Sequence, residues 1–164
     1  MACLLALTTG CAQKKEMDTP KALTESYLEQ MKEGAYEEAA LLSGSSFDQE
    51  AYDNSAELQK QAMKESYGQM EYEILEEKVE EEKAFVTVVV KNADYTQVLD
   101  EAIYETMEAG EHDAFTLERF RELLKEAEKK EAEVLVNYRK EEGKWIFDGS
   151  NSQLQAAMLG CLDA

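Results

Sequence analysis

The run from Ala84 to Lys91, AFVTVVVK, constrains the fold more than any other segment of the chain. Strict alternation sends Val86, Val88 and Val90 to one face and Phe85, Thr87 and Val89 to the other. A strand apolar on both faces is expected to be central in its sheet and covered on both sides. It therefore needs partners. Met70, Tyr72 and Ile74 alternate with Glu71 and Glu73, which predicts a half-buried strand, and the acidic stretch from Glu80 to Lys83 turns it back as a hairpin. Ala132 to Lys140 alternates again through Val134, Val136 and Tyr138. It turns at Glu141-Glu142-Gly143 and returns as Trp145-Ile146-Phe147, a second hairpin.

Helical spacing fills the rest. Thr19 can cap a helix with Pro20 in its first position, Leu23, Tyr27, Leu28 and Met31 share a face, and Gly34 ends it. Tyr36 to Leu42 forms a short second helix before Ser43-Gly44-Ser45. Ser46 with Gln49 has capping-box spacing and opens a stretch through Phe47, Ala51, Leu58, Ala62 and Met63 that stops at Gly68, broken near Asp53-Asn54. Asp94 and Gln97 repeat that spacing ahead of Leu99, Ala102, Ile103 and Met107, closed by Gly110. Leu117, Phe120, Leu124 and Ala127 make another stripe, and Leu154, Ala157, Met158 and Cys161 a last one. The order is three helices, a hairpin, two helices, a hairpin and a final helix. Local strand pairing with helices segregated in sequence means an α+β domain built on an antiparallel sheet.

Charge excludes some partners. Thirty-six acidic residues against 17 basic ones give a net charge of −19. Such a surface repels phosphate backbones, so no nucleic-acid partner is expected. It also repels anionic headgroups, and the sequence holds no apolar run of the ~18 residues that a membrane-spanning helix requires. Membrane attachment would have to come from another source.

The N-terminus offers one. Residues Met1 to Lys15, MACLLALTTGCAQKK, place a short apolar run and the small residues Thr8, Thr9 and Gly10 ahead of Cys11, with polar sequence after it. This resembles a bacterial lipoprotein signal peptide, in which the cysteine receives a diacylglyceryl group and becomes the first residue of the exported protein. The resemblance implies a leader remnant over 1–10, a lipidated Cys11 with a tether over 11–18, a domain over 19–164, and a location on the outer side of the cell membrane. Leucine usually stands three positions before the cysteine, where this chain has Thr8, with Leu7 one further back. No basic residue precedes the apolar run, so Met1 reads as an internal methionine with the true start upstream. With Cys3 removed and Cys11 acylated, Cys161 alone remains and no intramolecular disulfide is expected.

Three segments carry a second resemblance: ALTESYLEQMKEGAYEEA (22–39), VVVKNADY (88–95) and YRKEEGKWIFDGS (138–150). Over Thr19 to Asp148 the chain resembles the nuclear transport factor 2-like (ketosteroid-isomerase-like) fold, and more narrowly lipoproteins of Gram-positive bacteria that carry it. That family implies a strongly curved sheet with the N-terminal helices packed on its concave side, making a cone. The segment from Gln97 to Lys129 exceeds what the minimal fold needs, which suggests a helical insertion over the sheet's other face or the cone mouth. A cone leaves a cavity at its wide end. The aromatics near strand ends, Tyr72, Phe85, Tyr138 and Trp145, are expected to line that cavity or fill it.

Catalytic chemistry finds few residues. His112 is the one histidine, in the acidic loop Gly110-Glu111-His112-Asp113, and Cys161 completes an apolar stripe. A nucleophile–base pair is not expected of them. Glu76 to Glu82 lacks the alternating Asp/Asn and Gly of a calcium loop, and Cys and His are too few for zinc. Asp94, the acid nearest a strand end, is accounted for by capping. The expectation is therefore a lipid-anchored, non-catalytic binding domain without metal or cofactor. Its partner would be a small apolar ligand or an envelope protein. The alternatives are a scaffold forming a homodimer through the sheet's outer face, and a small enzyme of isomerase or hydratase type.

Overall fold

The computed structural model describes residues 19–110 and 113–162. Cys11, its tether and His112 lie outside the described residues. Pro20–Glu33 (α1), Tyr36–Leu42 (α2), Gln49–Asp53 (α3) and Glu57–Gly68 (α4) precede the strands Glu71–Val79 (β1) and Lys83–Ala93 (β2). Tyr95–Ala109 (α5) and Asp113–Glu126 (α6) then lead to Lys129–Glu141 (β3), Lys144–Phe147 (β4) and Ser152–Met158 (α7). The strands form one open antiparallel sheet in the order β1-β2-β3-β4. The architecture is mixed α+β, as the order of periodicities predicts.

The expected central strand is β2. Ala84, Val86, Val88 and Val90 are fully buried, in register with Tyr138, Val136, Val134 and Ala132 of β3. Tyr27 and Leu28 of α1, Tyr67 of α4 and Leu154, Ala157 and Met158 of α7 close over this stripe as one apolar cluster. The second face departs from expectation. Phe85, Thr87 and Val89 are only half-buried, and their neighbour Leu135 is 47% exposed. The segment from Gln97 to Lys129 does not cover them. Instead α5 and α6 pack on α4 through a second cluster of Ala62, Val98, Leu99, Ala102, Leu117, Phe120 and Leu124. Registered among those outer-face residues are Glu76, Lys78, Lys91 and Glu133, whose charges an overlying helix would have to desolvate.

Local details correct three further expectations. Asp48, not Ser46, caps α3, its carboxylate accepting from Ala51 N–H at 2.9 Å. On α5 the buried stripe runs through Val98, Leu99, Ala102 and Thr106, and Met107 is 73% exposed. Thr106 can be buried because its hydroxyl reaches Ala102 O and Thr116 Oγ1, both at 2.8 Å. Cys161 is exposed, because α7 ends at Met158 and Gly160 turns the chain at φ 65° before the stripe can continue.

A buried polar residue locks three elements together. The Asn92 side-chain amide donates to Ser66 O on α4 at 3.0 Å and to Met158 O on α7 at 2.7 Å, while its oxygen accepts from Ala93 N–H at 2.9 Å. Gly160 lies against the same point of β2. A Cβ there would meet Ala93 O at 2.2 Å and Ala93 C at 2.4 Å, both backbone atoms. Gly110 has a similar φ of 71° but open space around it. Urea unfolding is therefore expected to show Gly160→Ala costing about 3 kcal/mol or more and Gly110→Ala only about 1 kcal/mol. Equal losses at the two positions would show that the close approach to β2 contributes nothing.

Candidate functional site

The left-handed Gly34 (φ 78°) reverses the chain between α1 and α2, with Ala35 N–H bonded back to Gln30 O at 2.9 Å. The turn sets Tyr36 at the start of α2, against rings from three other parts of the chain. Tyr36 meets Tyr67 of α4 at 5.9 Å, Tyr52 of α3 at 5.8 Å and Phe47 at 6.2 Å between ring centroids. Tyr27 and Phe147 meet edge-on at 5.0 Å. Between these groups lies a cleft of about 470 Å³. Its floor is aromatic with Met31 and Met63, and Ser43, Ser45, Asp48 and Gln155 bring polar groups to its walls. That combination, an apolar body with a few placed polar groups, is typical of small-molecule pockets, and the volume lies in their usual range of about 300–1,000 Å³.

One group in the cleft wall is chemically incomplete. The Tyr36 hydroxyl is buried and has no hydrogen-bond partner among the described residues. A buried phenol without a partner costs about 1–3 kcal/mol, so folded chains rarely leave one. Asn151 Nδ2 is a second such atom, at the start of α7 and outside the cleft lining. Burial pushes the Tyr27 phenol up to about 12, and burial together with the neighbouring Tyr52 does the same to Tyr36. Burial raises Tyr67 as well. These hydroxyls stay protonated through the physiological range and so are not bases there. Asp48, the carboxylate in the lining, is occupied in capping α3.

The four strand-end aromatics stand elsewhere. Tyr138 is fully buried, its hydroxyl sharing a 2.7 Å hydrogen bond with Thr24 and its ring edge-on to Phe147 at 5.1 Å. Tyr72 is half-buried on β1, donating to Glu29 Oε1 at 2.6 Å. Trp145 is half-buried on β4 with Lys140 Nζ 5.2 Å from its ring centre. Phe85 lies on the outer sheet face, beside a shallow groove of about 320 Å³ shared with Thr87 and Leu135. None of the four lines the aromatic cleft. Asp94 caps α5 through Gln97 N–H at 3.0 Å and pairs with Lys130 at 3.1 Å. Burial pushes its carboxyl up, but those two contacts outweigh it and hold the group below the usual range. Among the described residues no cluster of His, Cys, Asp and Glu could hold a metal ion, and no helix is long and apolar enough to cross a membrane.

No protein-family model and no curated protein sequence matches the chain. Among solved structures it is similar to the crystal structure of "a putative lipoprotein (ycdA)" from Bacillus subtilis, at 14% identity and a TM-score of 0.44. The similarity covers 90% of this chain and 51% of that one, so the chain spans about half that protein's length.

The raised phenols give the fold an alkaline limit. An unfolded tyrosine ionises near 10.0, whereas Tyr27 and Tyr36 in the fold hold their protons to about 12. Their contribution to stability is complete below pH 10 and is lost as pH rises toward about 12. Urea midpoints measured at rising pH should fall across that window, and the Tyr27→Phe/Tyr36→Phe variant should fall less steeply. A double variant with the wild-type slope would sink the assignment.

Proposed function

We propose that the chain is a lipid-anchored, extracytoplasmic binding domain that takes a small apolar ligand in the cleft between α1, α2, α3 and α4. The observation that carries this reading is the buried, unpartnered Tyr36 hydroxyl in the wall of an otherwise aromatic cleft. A ligand bearing one hydrogen-bonding group would supply the missing partner. The reading is non-catalytic, supported by the occupied Asp48 and the protonated phenols around the cleft. We further read residues 19–164 as a nuclear transport factor 2-like cone, supported by the element order and by the burial of β2 and β3 under α1, α4 and α7. Cys11 would be the lipidated residue, supported by the small residues before it and the polar sequence after it.

Nile red, a neutral dye whose emission shifts to the blue in apolar sites, is a suitable probe of the cleft in the unlipidated Cys11→Ser chain. Wild-type cleft residues should give a saturable blue shift, and Ala40→Trp, which fills the cleft from α2, should weaken it about tenfold with the unfolding midpoint retained. Absence of a saturable shift, or an Ala40→Trp chain that binds normally, would refute the cleft as a ligand site. Tyr36→Phe separates ligand binding from plain packing. Losing a stranded hydroxyl should raise stability by about 1 kcal/mol while dye affinity falls. If stability drops instead, the hydroxyl is bonded within the protein and the reading loses its basis.

The anchor is tested separately. Native mass spectrometry of the protein purified from its own membranes should show acyl mass on Cys11, and Cys11→Ser should leave the detergent phase. A Cys11→Ser chain that still partitions with detergent would exclude the lipid at that residue.

A further inference from the structure

The aromatic cleft adjoins a second groove of about 720 Å³, and Tyr52 belongs to the walls of both. The groove has the opposite character. Lys32, Lys60, Lys64 and Arg121 gather in it, on a chain whose net charge is −19. Two of these cations are neutralised, Lys60 by Glu57 at 3.2 Å and Arg121 by Glu65 at 2.7 Å. The other two are not. Lys32 holds its ammonium 5.7 Å from the ring centre of Tyr72, and Lys64 lays its stem beside Gly34. Neither forms an ion pair among the described residues. Their position at the C-terminal end of α1, where helix carbonyls favour a cation, explains part of this. Lys60, paired with Glu57, also stands 5.5 Å from the ring centre of Tyr52, at the boundary between groove and cleft.

Resting on the reading of the cleft as a ligand site, we propose that its ligand is an amphipathic anion. The apolar body occupies the aromatic cleft, and a carboxylate or phosphate group passes Tyr52 to reach Lys60, Lys64 and Lys32. Charge fixes the direction of entry. Most of this surface repels an anion, whereas the groove holds two ammonium groups that form no ion pair among the described residues, with Glu71 the carboxylate that feels the charge of Lys32. The apolar end alone matches the rings of Tyr36, Phe47 and Tyr67. A neutral apolar molecule would leave the groove unused, and a simple anion would leave the cleft unused.

Isothermal titration of the Cys11→Ser chain with decanoate, decyl phosphate, decanol and inorganic phosphate tests both ends at once. Decanoate and decyl phosphate are expected to bind at least about tenfold more tightly than decanol. Lys32→Ala/Lys64→Ala should reduce that advantage to about twofold and leave decanol binding as it was. The comparison of anion with alcohol on the wild-type cleft and groove decides the matter even if the double variant fails to fold. Decanol binding as tightly as decanoate would overturn the anionic end while leaving the cleft reading intact. Failure of every decyl compound to bind would remove the cleft reading and this proposal together. Inorganic phosphate binding as tightly as decyl phosphate would mean an adventitious ion only. Binding to phosphatidylglycerol vesicles without binding of monomeric decanoate would overturn the proposal in favour of a bilayer surface.

Discussion

The stripe of Ala84, Val86, Val88 and Val90, paired with Ala132, Val134 and Val136, is the surface on which the rest of the structure is assembled. Its side chains are short and mostly β-branched, so they suit a pleated sheet and present a low, even surface to whatever packs above. Tyr27 and Leu28 of α1 and the small face of α7 settle on it directly. At one end of the stripe Asn92 is sealed in, its amide answering carbonyls of both α4 and α7. Beyond the other end, at Tyr138 and Phe147, large rings replace small ones.

The cleft follows from that change of scale. Its lining sets the rings of Tyr27, Tyr36, Phe47, Tyr52, Tyr67 and Phe147 around Ala39 and Ala40 of α2 and Ser43 just past its end. Small side chains on one wall against large ones on the other leave space that larger residues on α2 would close. α3 adds to the effect because none of its residues is buried, so Tyr52 flanks the space without filling it. A core packed for stability alone would place bulk at Ala40, and would not strand the Tyr36 hydroxyl. Under the proposed reading, departures of this kind are where the fold gives up stability for binding.

Much of the fold was readable because its signals are local. Alternation in AFVTVVVK and in Val134 to Tyr138 located two strands, and the break at Asp53-Asn54 falls where α3 ends and α4 follows. What a segment packs against was less readable. Leu99 and Phe120 announce buried faces, but nothing in their spacing says that α4, and not the outer sheet face, receives them. The capping of α3 went to Asp48 because the helix begins at Gln49, so the amide in need of a partner is that of Ala51, two residues beyond the one Ser46 would reach. The cleft aromatics Tyr36, Phe47, Tyr52 and Tyr67 were hidden for a different reason. They lie on three short helical elements and a loop, where no single period links them, whereas strand-end aromatics such as Tyr138 stand out and are simply buried. Their clustering between residues 36 and 67, in otherwise polar sequence, is the signal that could have found them.

Electrostatics ties the cleft to the proposed anchor. Exposed ion pairs such as Lys60–Glu57 and Arg121–Glu65 add little stability, so their concentration beside the cleft is poorly explained as reinforcement of the fold. The local positive field there comes instead from Lys32 and Lys64, which form no ion pair among the described residues. A surface of this net charge is pushed away from an anionic bilayer, and a lipid on Cys11 would have to hold it there. The tether from Ala12 to Asp18 could then extend at most about 25 Å, so the domain would sit close to the headgroups without lying on them. A cationic groove opening beside an apolar cleft is suited to that position. It would take from its surroundings only a molecule that matches it at both ends, and the negative charge of the rest of the surface would exclude anions elsewhere on the domain.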